Sequence, residues 1–347
     1  MLPSPASPRL LIDRDALVAN WRLLAAMSGA AACGAAIKAD GYGIGAAETL
    51  ATLAAAGCRD FFVAQWSEVA ALGPLPAGVS VAVLHGIQHG EMATARASAA
   101  RPVLCTPAQV AAWAAAGGGT CDIMVDTGMN RLGLTPAQAA SGLLDGIAVD
   151  TLHSHLACAD EPAHPLNARQ CADFTALVTQ LRPCRAALAN SAGIALGADY
   201  HFGLTRPGLG LYGGQPVTGS TLALQQVVRI EAGVVQVRDV EAGASIGYGA
   251  TFVAPRAMRI AVLGLGYADG YRRALGASGV ARIGGRPCPV VGRISMDLLM
   301  VDATGTSVAE GDRVDVDFDL AAAAAASDIA QYELLTGLGQ RYSRCWT

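Results

Sequence analysis

Charge is scarce in this 347-residue chain. Charged residues make up 15% of it, and 24 Lys and Arg against 28 Asp and Glu leave a formal net charge of −4. No basic tract is present, which argues against nucleic acid as a partner. No apolar run reaches transmembrane length, so no membrane association is expected. The opening residues MLPSPASPRLLIDRD lack a basic segment followed by a continuous apolar core, so a secretory signal is not supported. Nine cysteines occur without C-x-x-C or any metal-ligand spacing. They read as reduced thiols of a cytoplasmic protein, mostly small core residues, and no metal site is expected. No G-x-G-x-x-G follows a first strand, which weakens the reading as an open doubly wound sheet.

What is present is a globular composition, with 52% apolar residues and 41 glycines, and a length that suits two domains. The stretch that organises the chain is Ile37-Lys38-Ala39-Asp40-Gly41-Tyr42-Gly43-Ile44-Gly45, preceded by the apolar run Cys33 to Ile37. A lysine at the end of a buried strand is costly to desolvate, and desolvation favours the neutral, nucleophilic amine. Lys38 is therefore a candidate for a Schiff base. A rim lysine reaching for water is the plainer alternative.

Strand candidates alternate with helices for about two hundred residues: Cys33–Ile37, Asp60–Ala64, Val81–Leu84, Pro102–Leu104, Cys121–Val125, Ala148–His153, Ala186–Ala189 and Gly208–Leu211. Eight such strands predict a (β/α)8 barrel of the TIM type, in which chemistry sits at the C-terminal ends of the strands. The polar residues fall there: Lys38, then 126–131, then His153, His155 and 159–161, then Asn190-Ser191, then Arg206-Pro207-Gly208. Each has a plain reading too. Asn190 and Ser191 suit a helix cap, Arg131 suits a pair with Asp126, and either histidine suits a satisfied core position.

After about residue 220 the helical period stops. β-branched runs at Gln226–Ile230, Gly233–Val237, Met258–Leu263, Leu298–Val301 and Arg313–Phe318 predict a β-rich second domain. An Ala-rich piece, Leu320–Ala326, and a helix capped by Ser327 are expected to close it. The domains are set at 1–222 and 223–347. Glycine loops carry Tyr248 and Tyr267, and a third holds Met296-Asp297.

Taken together, the chain resembles the alanine racemase family, fold-type III pyridoxal phosphate (PLP) enzymes. The matching stretches run from about Ile12 to about Arg341: 37–45, Asp126-Thr127-Gly128-Met129-Asn130-Arg131-Leu132-Gly133, His155-Leu156-Ala157-Cys158-Ala159-Asp160-Glu161, Asn190-Ser191, 206–213, 247–252, 266–270 and Met296-Asp297. The resemblance implies an α/β barrel with a C-terminal β-rich domain, and two-base racemisation of L- and D-alanine that supplies D-alanine for peptidoglycan. It implies that Lys38 binds PLP as a Schiff base and serves as one base, with Tyr248 the other. Arg206 would face the pyridine nitrogen, with His155 behind it, and Arg206 and His155 together would supply positive charge to Tyr248. Tyr42, Asn190, Ser191, Gly208 and Leu209 would surround the cofactor and its phosphate, helped by backbone N–H groups of the glycine loop. Arg131, Tyr267, Met296 and Asp297 would line the substrate. A homodimer would share its sites, the barrel of one subunit facing the β-domain of the other.

Three positions depart from the pattern. Met124 stands where many members carry a carbamylated lysine that steadies the arginine, so Arg131 is expected to be held by chloride, by Asn130 or by a carboxylate. Gln340 stands where a phosphate-binding tyrosine is often found. Asp40 replaces an asparagine. A serine or broad-specificity racemase on the same fold is the nearest alternative. Single-barrel PLP carriers lack the second domain, and fold-type III decarboxylases place an acid where Arg206 stands.

Overall fold

The computed structural model describes residues 7–219 and 222–347. The chain divides into two compact units, one spanning Asp15–Gln225 and the other joining the N-terminal segment through Arg14 to Gln226–Thr347. The N-terminal strand β1 (Arg9–Ile12) thus belongs with the C-terminal half, although 1–222 was the expected span of the barrel.

In the first unit the opening barrel strand is split by Gly34 into β2 (Ala32–Cys33) and β3 (Ala35–Ala36). A Cβ at Gly34 would lie 2.6 Å from the Asp60 carbonyl oxygen, so the neighbouring strand leaves room for glycine alone. Six further strands follow: β4 (Asp60–Val63), β5 (Ser80–Val83), β6 (Arg101–Leu104), β7 (Cys121–Met124), β8 (Val149–His153) and β9 (Arg185–Ala187). From β3 to β9 each pairs in parallel with the next, in sequence order. Their residues are nearly all buried, as parallel strands covered on both faces require.

The eighth strand, β10, is Leu204–Thr205 and pairs in parallel with β2. Gly203 and Arg206 N–H donate to Ala186 and Ala189 carbonyls on one side, and Ala32, Gly34 and Ala36 N–H donate to Gly203, Thr205 and Pro207 carbonyls on the other. These bonds close the circle of strands. The expected strand at Gly208–Leu211 is instead a 3-10 turn, Leu209–Tyr212. Pro207 has no N–H to continue a ladder, and the N–H groups of Gly208 and Gly210 turn to the Ser191 hydroxyl.

The two ends of the barrel differ in charge pairing. At the N-terminal ends of the strands Arg101 pairs with Asp122 (3.3 Å) and Asp150 (3.0 Å), and Arg185 pairs with Asp60 and Asp150, both at 2.9 Å. These partly buried pairs set two arginines against three carboxylates at that end. His153, fully buried, joins them through Nε2 to Asp122 at 3.1 Å, while its Nδ1 has no partner among the described residues.

The second unit is a β structure built on β11 (Val228–Val240), one strand with a bulge near Val234 where two were expected. β11 pairs antiparallel with β1, and β1 runs parallel to the terminal strand β19 (Ser343–Trp346). Between them in sequence lie β12 (Ser245–Ile246), β13 (Phe252–Val253), β14 (Met258–Leu263), β15 (Val280–Ile283), β16 (Arg286–Pro289), β17 (Leu299–Asp302) and β18 (Arg313–Val316). Ile246, Ala254, Met258, Ile260 and Val291 form a core beneath β14. The Ala-rich helix runs Leu320–Ser327 under an Asp319 cap. Ser327 ends that helix, with its hydroxyl on the Ala323 carbonyl, so it does not cap the next one, Gln331–Thr336. Among the described residues no helix is long and apolar enough to cross a membrane.

Candidate active site

Lys38 follows β3 directly and opens an unusual turn. Ala39, Asp40, Gly41 and Tyr42 all take left-handed backbone angles, with φ of 53°, 54°, 62° and 55°. For residues with a Cβ this costs roughly 1–2 kcal/mol each. Hydrogen bonds offset it: Gly41 N–H to the Ile37 carbonyl (2.8 Å), Gly43 N–H to Ala39 (2.9 Å) and Gly45 N–H to Asp40 (2.8 Å). Asp40 Oδ1 also accepts from Ala46 N–H at 2.9 Å, tying the turn to the helix Ala46–Ala56. An asparagine oxygen can make that same bond, so the exchange to aspartate keeps the geometry.

Three cations gather at this rim. Burial pushes the Lys38 amine below its ordinary pKa; Arg131 and Arg206 push it further, and Glu68 opposes them. His155 feels burial first, then Arg206, Arg131 and Lys38, and is driven down to about 3. It is a neutral imidazole near pH 7, so the expectation that it adds positive charge is corrected. Arg206 is buried, its pKa pulled down to about 10 by desolvation against the opposing charge of Asp122, and it stays protonated at neutral pH. Its Nη2 donates to the Ser154 carbonyl at 2.6 Å, and its guanidinium lies over the Phe62 ring at 5.9 Å. Its Nη1 is buried with no partner among the described residues.

A cradle lies beside them. Asn190 caps the short helix Ser191–Ala195 by accepting from Gly193 N–H at 2.8 Å. The buried Ser191 Oγ accepts from Gly208 N–H (2.9 Å) and Gly210 N–H (3.1 Å), which leaves its own proton to donate. Gly208 is sterically required, since a Cβ there would sit 2.3 Å from Tyr42 Oη. The Tyr42 ring stacks on Tyr212 at 4.6 Å, and Tyr212 donates to the Ala36 carbonyl at 2.8 Å. Leu209 is buried in the same turn. A buried hydroxyl, an orphaned guanidinium nitrogen, a cradle that excludes a methyl group and a desolvated lysine together fit a bound phosphorylated aldehyde.

The Arg131 loop is organised by Asp126. Burial alone would raise its pKa, but N–H groups of Gly128, Asn130 and Arg131, at 2.8–3.0 Å, outweigh that and hold it down. The carboxylate therefore fixes the Arg131 backbone, while the Asn130 amide turns to the Gly128 carbonyl at 3.5 Å. Met124 is buried in β7.

In the second unit Tyr248 sits in the turn Tyr248–Ala250 and is 72% exposed; Met296 is 54% and Tyr267 39% exposed. The loops of Tyr267 and Met296 are zipped together by Tyr267 N–H to the Ser295 carbonyl and Ala268 N–H to the Met296 carbonyl. A Cβ at Gly266 would come within 2.3 Å of the Met296 carbonyl oxygen, so this close approach needs glycine. Asp297, expected at the substrate, is engaged by Arg341 at 2.6 Å; the same arginine binds the buried Asp269 through two bonds of 2.7 and 2.8 Å. Asp269 in turn accepts from Gly266 N–H. Sequence reasoning missed this arginine, because nothing local links it to residues 44 and 72 positions away. Gln340 is exposed.

Comparison with known proteins agrees with this arrangement. Residues 12–216 match the alanine racemase N-terminal domain family, and 227–346 match the C-terminal domain family. The alanine racemase of Rhodospirillum rubrum is 43% identical over 98% of this chain and 96% of that protein. A catabolic alanine racemase of Agrobacterium fabrum is 41% identical over 98% of this chain and 92% of its own length. A crystal structure of alanine racemase from Bartonella henselae, with covalently bound pyridoxal phosphate, superposes with a TM-score of 0.90 at 35% identity, covering 99% and 100% of the two chains. The chain belongs to the alanine racemase family.

Proposed function

We propose that this protein interconverts L- and D-alanine with PLP carried on Lys38, and that it supplies D-alanine for peptidoglycan in the cytoplasm. The observation that carries the reading is the convergence of Lys38, Arg131 and Arg206 on His155, beside the Ser191 and Gly208 cradle. Bound PLP supplies an electron sink for the charge left when the Cα proton is removed. Lys38, its amine biased toward the neutral form, would take that proton from the D-substrate on one face while the Tyr248 hydroxyl gives a proton to Cα on the other. From the L-substrate the roles reverse, Tyr248 removing the proton and Lys38 supplying one. Arg206 stays charged and would disfavour a proton on the pyridine nitrogen facing it. Gly208 and Gly210 N–H are occupied by Ser191, so the Ser191 O–H would be the donor that this turn offers the phosphate, with Leu209 beside it. Arg131 receives the substrate carboxylate, with Tyr267 and Met296 bordering it. We place the protein as a homodimer with shared sites; the exposure of Tyr248, Tyr267 and Met296 on their own unit supports that reading.

A panel of L-amino acids incubated with purified protein and PLP, resolved by chiral chromatography, tests this directly. L-Alanine should racemise and the larger amino acids should not. Serine turnover equal to that of alanine would move the assignment to a broader racemase, and the absence of D-alanine would remove it.

A further inference from the structure

We propose that Glu68 is the positioning residue that clamps the left-handed Lys38 turn to the barrel, bridging the first and second strands at the rim. The proposal rests on the reading of Lys38 as the cofactor anchor. Glu68 is the third residue of the helix Trp66–Leu72. At that position a glutamate ordinarily reaches back to the helix cap, and Oε2 does so, accepting from Gln65 N–H (3.1 Å) and from Ala64 N–H just past β4. Capping leaves the other oxygen unexplained. Oε1 points away from its own helix and accepts from Ala39 N–H at 2.6 Å, 29 residues back and directly after Lys38. Ala39 is the first residue of the strained run, where the backbone turns away from the barrel strand. One carboxylate thus joins the end of β4 to the start of the lysine turn with three charge-assisted bonds, the stronger class of hydrogen bond. Its charge also opposes the effect of Arg131 and Arg206 on Lys38.

The two roles, clamp and counter-charge, separate in mutants. Glu68→Gln removes the charge and offers only one oxygen, so it cannot accept from both sides. Glu68→Asp keeps the charge but is one methylene too short to span the gap. In the cofactor-loaded full-length protein, backbone hydrogen exchange over residues 38–46 should quicken about tenfold in both variants, the scale expected for losing a hydrogen bond to a charged group. Exchange within the helix Ala46–Ala56 beyond its first turn should not change. The pH midpoint of the visible band of the lysine-bound cofactor should move down in Glu68→Gln, because a carboxylate that favours the protonated nitrogen is gone. Glu68→Asp should restore that midpoint. Exchange unchanged over 38–46, equal quickening across the whole barrel, or a midpoint unmoved in Glu68→Gln would each overturn the proposal. A visible band that persists in Lys38→Ala would instead overturn the cofactor-anchor reading, while the exchange data would still decide whether Glu68 holds the turn.

Discussion

At the barrel rim Lys38, His155 and Arg206 are desolvated far enough that their proton affinities move, and the charge of Arg206 lowers both Lys38 and His155 further. In the C-terminal unit Tyr248, Tyr267 and Met296 stand on glycine-braced loops, open to solvent. The barrel therefore tunes its groups internally, through burial and through like charges with few carboxylates among them. The β unit fixes the place of its groups but not their chemistry. A tyrosine that is to act as a base near neutrality needs neighbouring positive charge, since its ordinary pKa is about 10. The cations of this chain that burial tunes, Arg206 and Lys38, belong to the barrel rim.

The sharpest way to break this contrast is at Lys38. Lys38→Ala should remove the visible absorbance of the lysine-bound cofactor and lower racemisation by about 10³-fold or more in both directions, since it deletes both the covalent attachment and one base. An absorbance spectrum and a chiral assay on the same preparation check this. A retained band would show that the tuned lysine is not the anchor.

Tyr248→Phe tests the other side. Because its phenol is exposed and makes no part of the barrel's cradle, cofactor binding should be unchanged. Incorporation of solvent deuterium at Cα from L-alanine should fall about 10²- to 10⁴-fold, far more than from D-alanine. Equal losses from both enantiomers would dissolve the division between a tuned barrel base and a β-unit base on the opposite face.

The contrast also explains what could be read in advance. Strands β4 to β9 were legible because most are short apolar runs followed by a helix, and the ends of β7, β8 and β9 lead to Arg131, His155 and Asn190, as β3 leads to Lys38 and β10 to Arg206. The eighth strand was placed four residues late. An apolar, glycine-rich run after Pro207 looks extended in sequence, but its N–H groups fold back to Ser191. The affiliation of β1 was invisible, since Arg9 pairs with Glu231 and Ser343, both more than two hundred residues away. Charge state was equally hidden. His155 looked like a cation in the motif and is neutral in the fold, because burial, and after it the charges of Arg206, Arg131 and Lys38, disfavour its protonated form. Asp297 was expected to line the substrate and is engaged by Arg341. Spacing reports which residues share an element; it does not report which hydrogen bonds they have already made.

A smaller effect separates shape from charge within the barrel itself. Gly208→Ala adds one methyl group where Tyr42 Oη lies 2.3 Å away, without touching any of the three cations. Overpacking a filled site costs typically 1–3 kcal/mol. Here the tyrosine ring can yield only by leaving its stack on Tyr212, whose own hydroxyl holds the Ala36 carbonyl next to the lysine strand. The variant should fold, with thermal stability lowered by about that amount, and should bind PLP about 10- to 100-fold more weakly, as read by titration of the visible band. The pH midpoint of that band should stay where it is in the parent protein, because the charges around Lys38 are intact. A shifted midpoint would mean that the cradle and the cation cluster are one coupled device, and that the barrel tunes Lys38 through the packing of Tyr42 as much as through Arg131, Arg206 and Glu68.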